Sequence, residues 1–329
     1  MARERTYNYI TSEEKISQIL PENKSLMEDF LIYLKSTDHS PNTIRLYKNN
    51  LNIFFVYNLE YNDNKRFTDI KKRELVRFQN HALNEWKWSP NRIKTVKSTI
   101  SSLSNYIEDI LDDEYPNFKN IITKIKSPAK VTVWEKSVFT EEELEKLLDD
   151  LVTQEQYKKA AMLALAMYSG RRKSELPRFK LSFFSEDNIL FDSLYKTDEK
   201  VMTKGHGANG KPMYCYVLKD RFQPYLDLWL EERERKGIVS EWLFPSVKDP
   251  SKPISTETMD DWKPYFTKFL GKDFYWHAMR HFFTTLLARM GVPMDVIQDI
   301  VNWESADMVK LYTDISTDEN IGKYFNNKA

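Results

Sequence analysis

An apolar stretch in the middle of the chain constrains the fold more than any other feature. Residues 157–168 consist largely of Ala, Met and Leu, and a helix that is apolar nearly all round is buried on every side. We therefore expect a central helix around which a domain packs. It should break at Gly170, and Arg172 should begin the next short helix.

A basic triplet follows this helix, and its middle residue is the candidate functional group. Arg171 and Lys173 are interpreted as an ordinary basic helix end. Arg172 differs because Glu175 stands three positions later, where its carboxylate can orient the Arg172 guanidinium. The end of a buried helix thus delivers an oriented cation.

A second group of candidates lies in the last sixth of the chain. His277 and Arg280 open an apolar segment three residues apart, so we expect them on one face of a buried helix. Trp303 follows the next short helix, and Tyr312 closes another one nine positions later. A His and an Arg directed at one point, with a tyrosine hydroxyl from a later segment, suit phosphodiester chemistry through a covalent intermediate. Because the chain has 18 tyrosines, the complete group must support this hypothesis.

A lysine in a turn completes the group. Short strands are expected at three places: residues 188–191, 200–203 and 211–218. A glycine-rich loop joins the last two, and Lys204 lies at the rim of this hairpin. Lys196 and Lys211 remain alternatives to Lys204 as the lysine of this group.

In this order and spacing, these residues resemble the tyrosine recombinase (phage integrase) family. Residues 170–176 match its pattern Gly-x-Arg-x-Ser-Glu-Leu, and a hairpin Lys, His-x-x-Arg, a His or Trp, and a Tyr nine residues later follow. The resemblance covers residues 25–315. Trp303 departs from His, the commonest family residue there. An indole donates one hydrogen bond and does not titrate, so we expect no proton transfer at this position.

The resemblance implies a site-specific recombinase that cuts and rejoins DNA through a 3′-phosphotyrosyl intermediate. Tyr312 would attack the phosphate, and Arg172 and Arg280 would hold its non-bridging oxygens. His277 would accept the tyrosine proton or hold the phosphate, and Lys204 would protonate the departing 5′ oxygen. The phosphotyrosine stores the bond energy, so no metal or nucleotide cofactor is expected.

The implied partner is double-stranded DNA, for integration, excision or a related reaction of a mobile element. The resemblance also implies a homo-tetramer on two synapsed sites and a monomer or weak oligomer without DNA. Two alternatives stay open: a type IB topoisomerase, which uses nearly the same chemistry, and a DNA-binding regulator with an inactive site.

The expected fold is mainly α with a small β-sheet: a helical core-binding (SAM-like) domain followed by an α+β catalytic domain. The expected divisions are an N-terminal segment 1–20, a helical domain 21–126, a linker 127–138, a catalytic domain 139–315 and a tail 316–329. Four helices are expected in the helical domain: from the capping box Ser25–Glu28, from Ser40-Pro41, over 71–86 and over 89–110.

The charge distribution predicts where DNA would bind. Net charge is zero, but residues 71–97 carry a local excess of six positive charges. Seven residues of this region, basic or carrying a hydroxyl, are the candidate phosphate contacts: Lys71, Lys72, Arg77, Arg92, Lys94, Lys97 and Ser98. For any one of them, an ordinary solvated helix surface is the alternative interpretation.

Several classes of protein are excluded by what the sequence lacks. A single cysteine, Cys215, is incompatible with a disulfide framework and fits a reducing cytoplasm. The longest apolar run has nine residues, too few for a membrane span, and the N-terminus is not a secretory signal. The first 20 residues are too few for an additional DNA-binding domain, so we expect none. The histidines and the cysteine offer no metal-ligand spacing.

Overall fold

The computed structural model of the protein describes residues 10–129, 139–203 and 211–303. The chain forms two units, one before and one after the 130–138 segment, and each has its own hydrophobic core. This agrees with the predicted fold class, a helical domain and a mainly α domain with small sheets. None of the helices within the described ranges is long and apolar enough to cross a membrane.

The first unit is entirely helical in its described part. Its helices are α1 (Glu13–Gln18), α2 (Pro21–Ser36), α3 (Pro41–Tyr61), α4 (Lys72–Asn84) and α5 (Pro90–Ile110). Ser40 and Ser89 cap α3 and α5, each accepting a hydrogen bond from the third residue beyond it, with Pro at the first helical position. These two starts were predicted. The predicted start at Ser25 is wrong, because Pro21 already begins α2.

Two other expectations for the first unit need correction. Ile10 and Ile19 are buried in its core, so residues 10–20 are part of the helical unit and not of a separate N-terminal segment. The apolar pattern of residues 71–86 predicts that Leu75, Phe78 and Leu83 point inward. On α4, Leu75 and Phe78 do so, but Leu83 is exposed and Ala82 is buried in its place. One position along a helix turns a side chain by about 100°, which suffices to exchange the two.

The second unit combines seven helices with two small sheets in its described part. The helices are α6 (Glu141–Thr153), α7 (Tyr157–Ser169), α8 (Lys219–Arg235), α9 (Thr256–Asp260), α10 (Lys263–Leu270), α11 (His277–Arg289) and α12 (Met294–Val301). The strands are β1 (Ile189–Leu190), β2 (Leu194–Lys196), β3 (Val201–Thr203), β4 (Lys211–Met213) and β5 (Tyr216–Leu218). Thr140 and Glu143 form a capping box at the start of α6, as their spacing in the sequence predicts.

The strands pair differently from the prediction. An antiparallel three-stranded sheet has the order β1-β2-β5, and a separate hairpin pairs β3 with β4. The predicted strand 211–218 is therefore two strands in two sheets, and β2 was not predicted. Residues 255–270, for which the sequence predicts one helix, likewise form two helices, α9 and α10. Such short elements depend on their neighbours more than on local pattern.

Helix α7 lies at the centre of the second unit, as its composition predicts. Every residue from Ala160 to Ser169 is buried. Gly170 ends the helix in the left-handed conformation, at φ 61°. A Cβ at Gly170 would lie 2.3 Å from Cδ1 of Phe283, so glycine also permits the close approach of α11. The turn after Gly170 is thereby held beside α11.

Candidate active site

Arg172 lies in a turn after α7, where Glu175 holds it. The Arg172 backbone N–H donates to Glu175 Oε2 at 3.1 Å, and its Nη1 donates to Oε1 at 3.0 Å. The expectation that Arg172 begins a helix is wrong, because residues 172–175 form a turn before a 3₁₀ helix, Leu176–Arg178. The pairing is nonetheless the one that the spacing predicts.

The Glu175 carboxylate is buried, with 1% of its side chain exposed. Burial alone would raise the pKa of Glu175, but the charges of Arg171 and Arg172 and two hydrogen bonds from Arg172 hold that pKa below its usual value. Glu175 therefore stays ionised near neutral pH and orients a guanidinium that is itself one-quarter exposed.

The three basic residues of the triplet lie in three different environments. Lys173 forms an ion pair with Asp260 at 2.8 Å. Arg172 faces Glu175, and Arg171 is fully buried with 1% exposure. The interpretation of Arg171 as an ordinary basic helix end is therefore wrong. The residues next to Arg171 in the chain gave no indication that Arg171 is buried.

Arg280 connects this turn to the end of α12. It is completely buried. Its Nη1 donates to the carbonyl of Gly170 at 3.2 Å, and its Nη2 donates to the carbonyl of Val301. Its guanidinium carbon lies 5.3 Å from the ring centroid of Trp303, which is also buried. The structure thus brings together the Arg172 turn, Arg280 and Trp303.

His277 is the first residue of α11 and is half-buried. Trp276, just before it, is buried and donates its indole N–H to the carbonyl of Met259 at 3.2 Å, which fixes the start of the helix. The rings of His277 and His281 are perpendicular, with centroids 5.4 Å apart. The sequence interpretation did not single out His281 as a neighbour of the candidate histidine.

Lys204 and Tyr312 lie outside the described residues, but the two alternative lysines lie within them. Strands β3 and β4 pair Thr203 with Lys211, the described residues on either side of the 204–210 segment. Lys196 lies 4.5 Å from the ring centroid of Tyr214. Lys211 is exposed, and its Nζ lies 3.4 Å from Oδ1 of Asn302, next to Trp303. Of the two alternatives, Lys211 is thus the one beside the site.

The candidate DNA-binding residues of the first unit are not all on its surface. Five are exposed: Lys71, Lys72, Arg77, Lys94 and Ser98. Arg92 is half-buried and packs over Trp88 with its guanidinium carbon 4.9 Å from the ring centroid.

Lys97 is buried, contrary to the expectation that it lies off the apolar face of α5. Its Nζ donates to Gln79 Oε1 at 2.9 Å and to the carbonyl of Ile125 at 2.7 Å. Its exposure is 7%. These contacts tie α5 to α4 and to the end of the helical unit, so Lys97 does not belong to an exposed phosphate-binding set.

A groove of about 500 Å³ runs between α3 and α5. Its lining is mostly polar: Leu46, Tyr47, Asn91, Lys94, Thr95, Ser98 and Thr99. It therefore offers a cation, hydroxyls and an amide along one face, the side-chain types that contact phosphates and sugars of nucleic acids. Two of the candidate residues, Lys94 and Ser98, lie in it.

Among the described residues, no group of three or more His, Cys, Asp or Glu side chains could hold a metal ion. The described candidate residues contribute guanidinium, imidazole and indole groups to this site. Planar guanidinium groups suit the binding of a phosphate and the stabilisation of the charge that develops on it.

Comparison with known proteins identifies the family. The model of the phage integrase family matches residues 137–319, and that of its N-terminal SAM-like domain matches residues 26–117. The chain is similar to the SPbeta prophage-derived recombinase-like protein YomM of Bacillus subtilis (strain 168), with 29% identity over 258 residues, 78% of this chain and 74% of that protein. It is also similar to tyrosine recombinase XerA of Pyrococcus horikoshii, with 25% identity over 301 residues and 90% of each chain.

Similarity to solved structures supports the same fold. The chain resembles a lambda integrase tetramer bound to a Holliday junction, with a TM-score of 0.64 and 18% identity over 88% of this chain and 77% of that one. Because the catalytic-domain model alone matches more than half of the chain, the assignment does not depend on this likeness. The chain belongs to the phage integrase family and is a site-specific tyrosine recombinase.

Proposed function

We propose that this recombinase cuts and rejoins double-stranded DNA with Tyr312 as its nucleophile. The proposal rests on the contacts that bring the candidate arginines together beside Gly170. There the turn with Arg172 meets Arg280, and Arg280 contacts the carbonyl of Val301 and the ring of Trp303. The segment that leads to Tyr312 begins at this point.

In the first step, the Tyr312 oxygen forms a bond to the scissile phosphorus while the bond from phosphorus to the 5′ oxygen breaks. His277 accepts the tyrosine proton or holds the phosphate, and Lys204 gives a proton to the departing 5′ oxygen. The 5′ hydroxyl of a second DNA end then attacks the phosphotyrosine, which joins the new strands and releases Tyr312.

The arginines stabilise charge on the phosphate. Arg172, oriented by Glu175, binds a non-bridging oxygen with its partly exposed guanidinium. Arg280 is held against backbone carbonyls and acts from a buried position, where electrostatic interactions are stronger than in water. Trp303 covers the Arg280 guanidinium and has no part in proton transfer.

The DNA duplex is bound on the helical unit by exposed residues of α4 and α5 and by the groove beside α5. Lys71, Lys72, Arg77 and Lys94 supply exposed cations, and Ser98 adds a hydroxyl. Half-buried Arg92 keeps a secondary role, and buried Lys97 has none. Such contacts fix the position of the protein on the duplex without reading its sequence.

The assembly on DNA is a homo-tetramer on two synapsed sites, and the protein without DNA is a monomer or a weak oligomer. The likeness to a lambda integrase tetramer on a Holliday junction supports this. Integration or excision of a mobile element is the reaction that such an assembly performs.

Covalent trapping tests the proposed nucleophile. The substrate is a nicked duplex taken from the DNA that flanks the gene for this chain. Wild-type protein should form an adduct that resists denaturation, whereas Tyr312→Phe should bind the duplex and form none. Tyr214→Phe, which keeps the ring beside Lys196, is the matched control and should form the adduct at the wild-type rate. An adduct in Tyr312→Phe would assign the nucleophile to another residue.

A further inference from the structure

Arg171 is buried as deeply as Arg280, although it is not one of the two arginines assigned to the phosphate. Its Nε donates to the carbonyl of Ser169 at 3.2 Å, and its Nη2 donates to the carbonyl of Ile300. Its Nη1 lies 3.4 Å from Sδ of Met213 and 3.7 Å from Sγ of Cys215. One guanidinium thus contacts the end of α7, strand β4, Cys215 just before β5, and the end of α12.

Two buried arginines therefore cap α12. The last carbonyls of a helix have no partner within it, and positive charge is favoured at that end. Arg171 donates to the carbonyl of Ile300 and Arg280 to that of Val301, the last two residues of the helix. Asn302 follows in the left-handed conformation, and the backbone N–H of Trp303 donates to the backbone carbonyl of Gln298 at 3.1 Å.

The stability of the fold alone does not explain why a charged residue occupies position 171. A buried cation loses its hydration, and an apolar side chain of similar volume often stabilises a core as well or better. Sulfur atoms such as those of Met213 and Cys215 are weak acceptors. The carbonyl of Ile300 and the nearby charge of Glu175 are the stronger partners, and both belong to the surroundings of the site.

We propose that Arg171 is a positioning residue for DNA cleavage, because it fixes the end of α12, and with it the start of the Trp303 segment, against the turn that carries Arg172. This inference rests on the proposed function, in which the segment after Trp303 supplies the nucleophile. A displacement of about 1 Å at a reacting group can slow a reaction about 100-fold. A residue that never touches the phosphate can therefore control the rate.

The test compares Arg171→Met and Arg171→Lys with wild type in single-turnover adduct formation at saturating DNA, using the same nicked duplex. Methionine fills the space without donors, and we expect a rate roughly 10- to 100-fold lower with DNA affinity within about threefold of wild type. Lysine keeps the charge but cannot span the Ile300 carbonyl and the two sulfur atoms together, so its rate should be intermediate. A wild-type rate in either variant would overturn the proposal.

Arg233→Met is the matched control. Arg233 is also buried in the same unit, with 4% exposure, and its three hydrogen bonds go to the carbonyls of Ser240, Trp242 and Leu243, away from the site. It should lower the melting temperature yet cleave at the wild-type rate well below melting. A rate loss equal to that of Arg171→Met would make the effect of Arg171 a general consequence of destabilisation and would overturn the proposal.

Amide hydrogen exchange without DNA provides a readout that does not depend on the substrate. Peptides covering residues 294–303 should exchange faster in Arg171→Met and at the wild-type rate in Arg233→Met. Unchanged exchange in Arg171→Met would contradict the positioning role. An absent adduct in wild type would instead contradict the proposed function, so the two failures can be told apart.

Discussion

Replacing Lys97 by methionine should weaken the helical unit and leave its electrostatic attraction to DNA unchanged. Methionine keeps most of the aliphatic stem but removes the donors to Gln79 and to the carbonyl of Ile125. Each acceptor left without a donor costs about 1–3 kcal/mol. Burial lowers the pKa of Lys97, so part of this loss is offset by removing a poorly hydrated charge.

The net expectation is a loss of about 2 kcal/mol in the free energy of unfolding. For a unit of this size, that corresponds to a melting temperature lower by roughly 6–10 °C. Thermal unfolding followed by circular dichroism measures the shift. DNA affinity measured at several salt concentrations should give the wild-type slope of log K against log salt, because no phosphate contact has been lost.

Lys94→Met is the matched control, because Lys94 is exposed and lies one helical turn earlier on α5. It should leave the melting temperature unchanged and reduce the salt slope by up to ~0.9, the value for one phosphate contact. The reasoning is refuted if Lys97→Met lowers the salt slope while the melting temperature stays at the wild-type value. Lys97 would then be a DNA contact.

Three further predictions follow from the site. Lys204→Ala should cleave normal DNA roughly 10²–10⁴-fold more slowly than wild type. Its cleavage rate should recover when sulfur replaces the bridging 5′ oxygen, since a thiol of pKa ~8.5 leaves without an acid. Recovery of Lys211→Ala on the sulfur substrate instead would identify Lys211 as the acid. Glu175 has a lowered pKa, so it adds stability above its ordinary pKa of ~4.3 that is lost as the pH falls. In urea unfolding, Glu175→Gln should therefore be less stable than wild type at neutral pH, with a gap that narrows in acid; a constant gap would contradict this. Gly170→Ala should lower the free energy of unfolding by about 2–4 kcal/mol, because its Cβ meets Phe283 at a positive φ; a change below about 0.5 kcal/mol in the same assay would contradict this.

Structural features that depend on residues close together in the chain could be predicted from the sequence. Ser40 and Ser89 mark helix starts because each satisfies a backbone N–H three positions later. The pairing of Arg172 with Glu175 spans the same short distance. The composition of α7 alone implied its central position. Each of these depends on geometry within one or two turns of chain, which the local sequence determines.

Only the tertiary structure separated the basic residues by role. Lys97 and Arg171 look like their neighbours Lys94 and Arg172, yet both are buried. The partners of Lys97 lie 18 and 28 positions away, and the Ile300 carbonyl lies 129 positions from Arg171. A long cationic side chain can reach either water or a buried acceptor, so its environment is decided by which distant carbonyls the fold brings within a few ångströms. The sequence by itself determined the family and the motif residues, and packing decided which cations meet solvent and which hold the protein together.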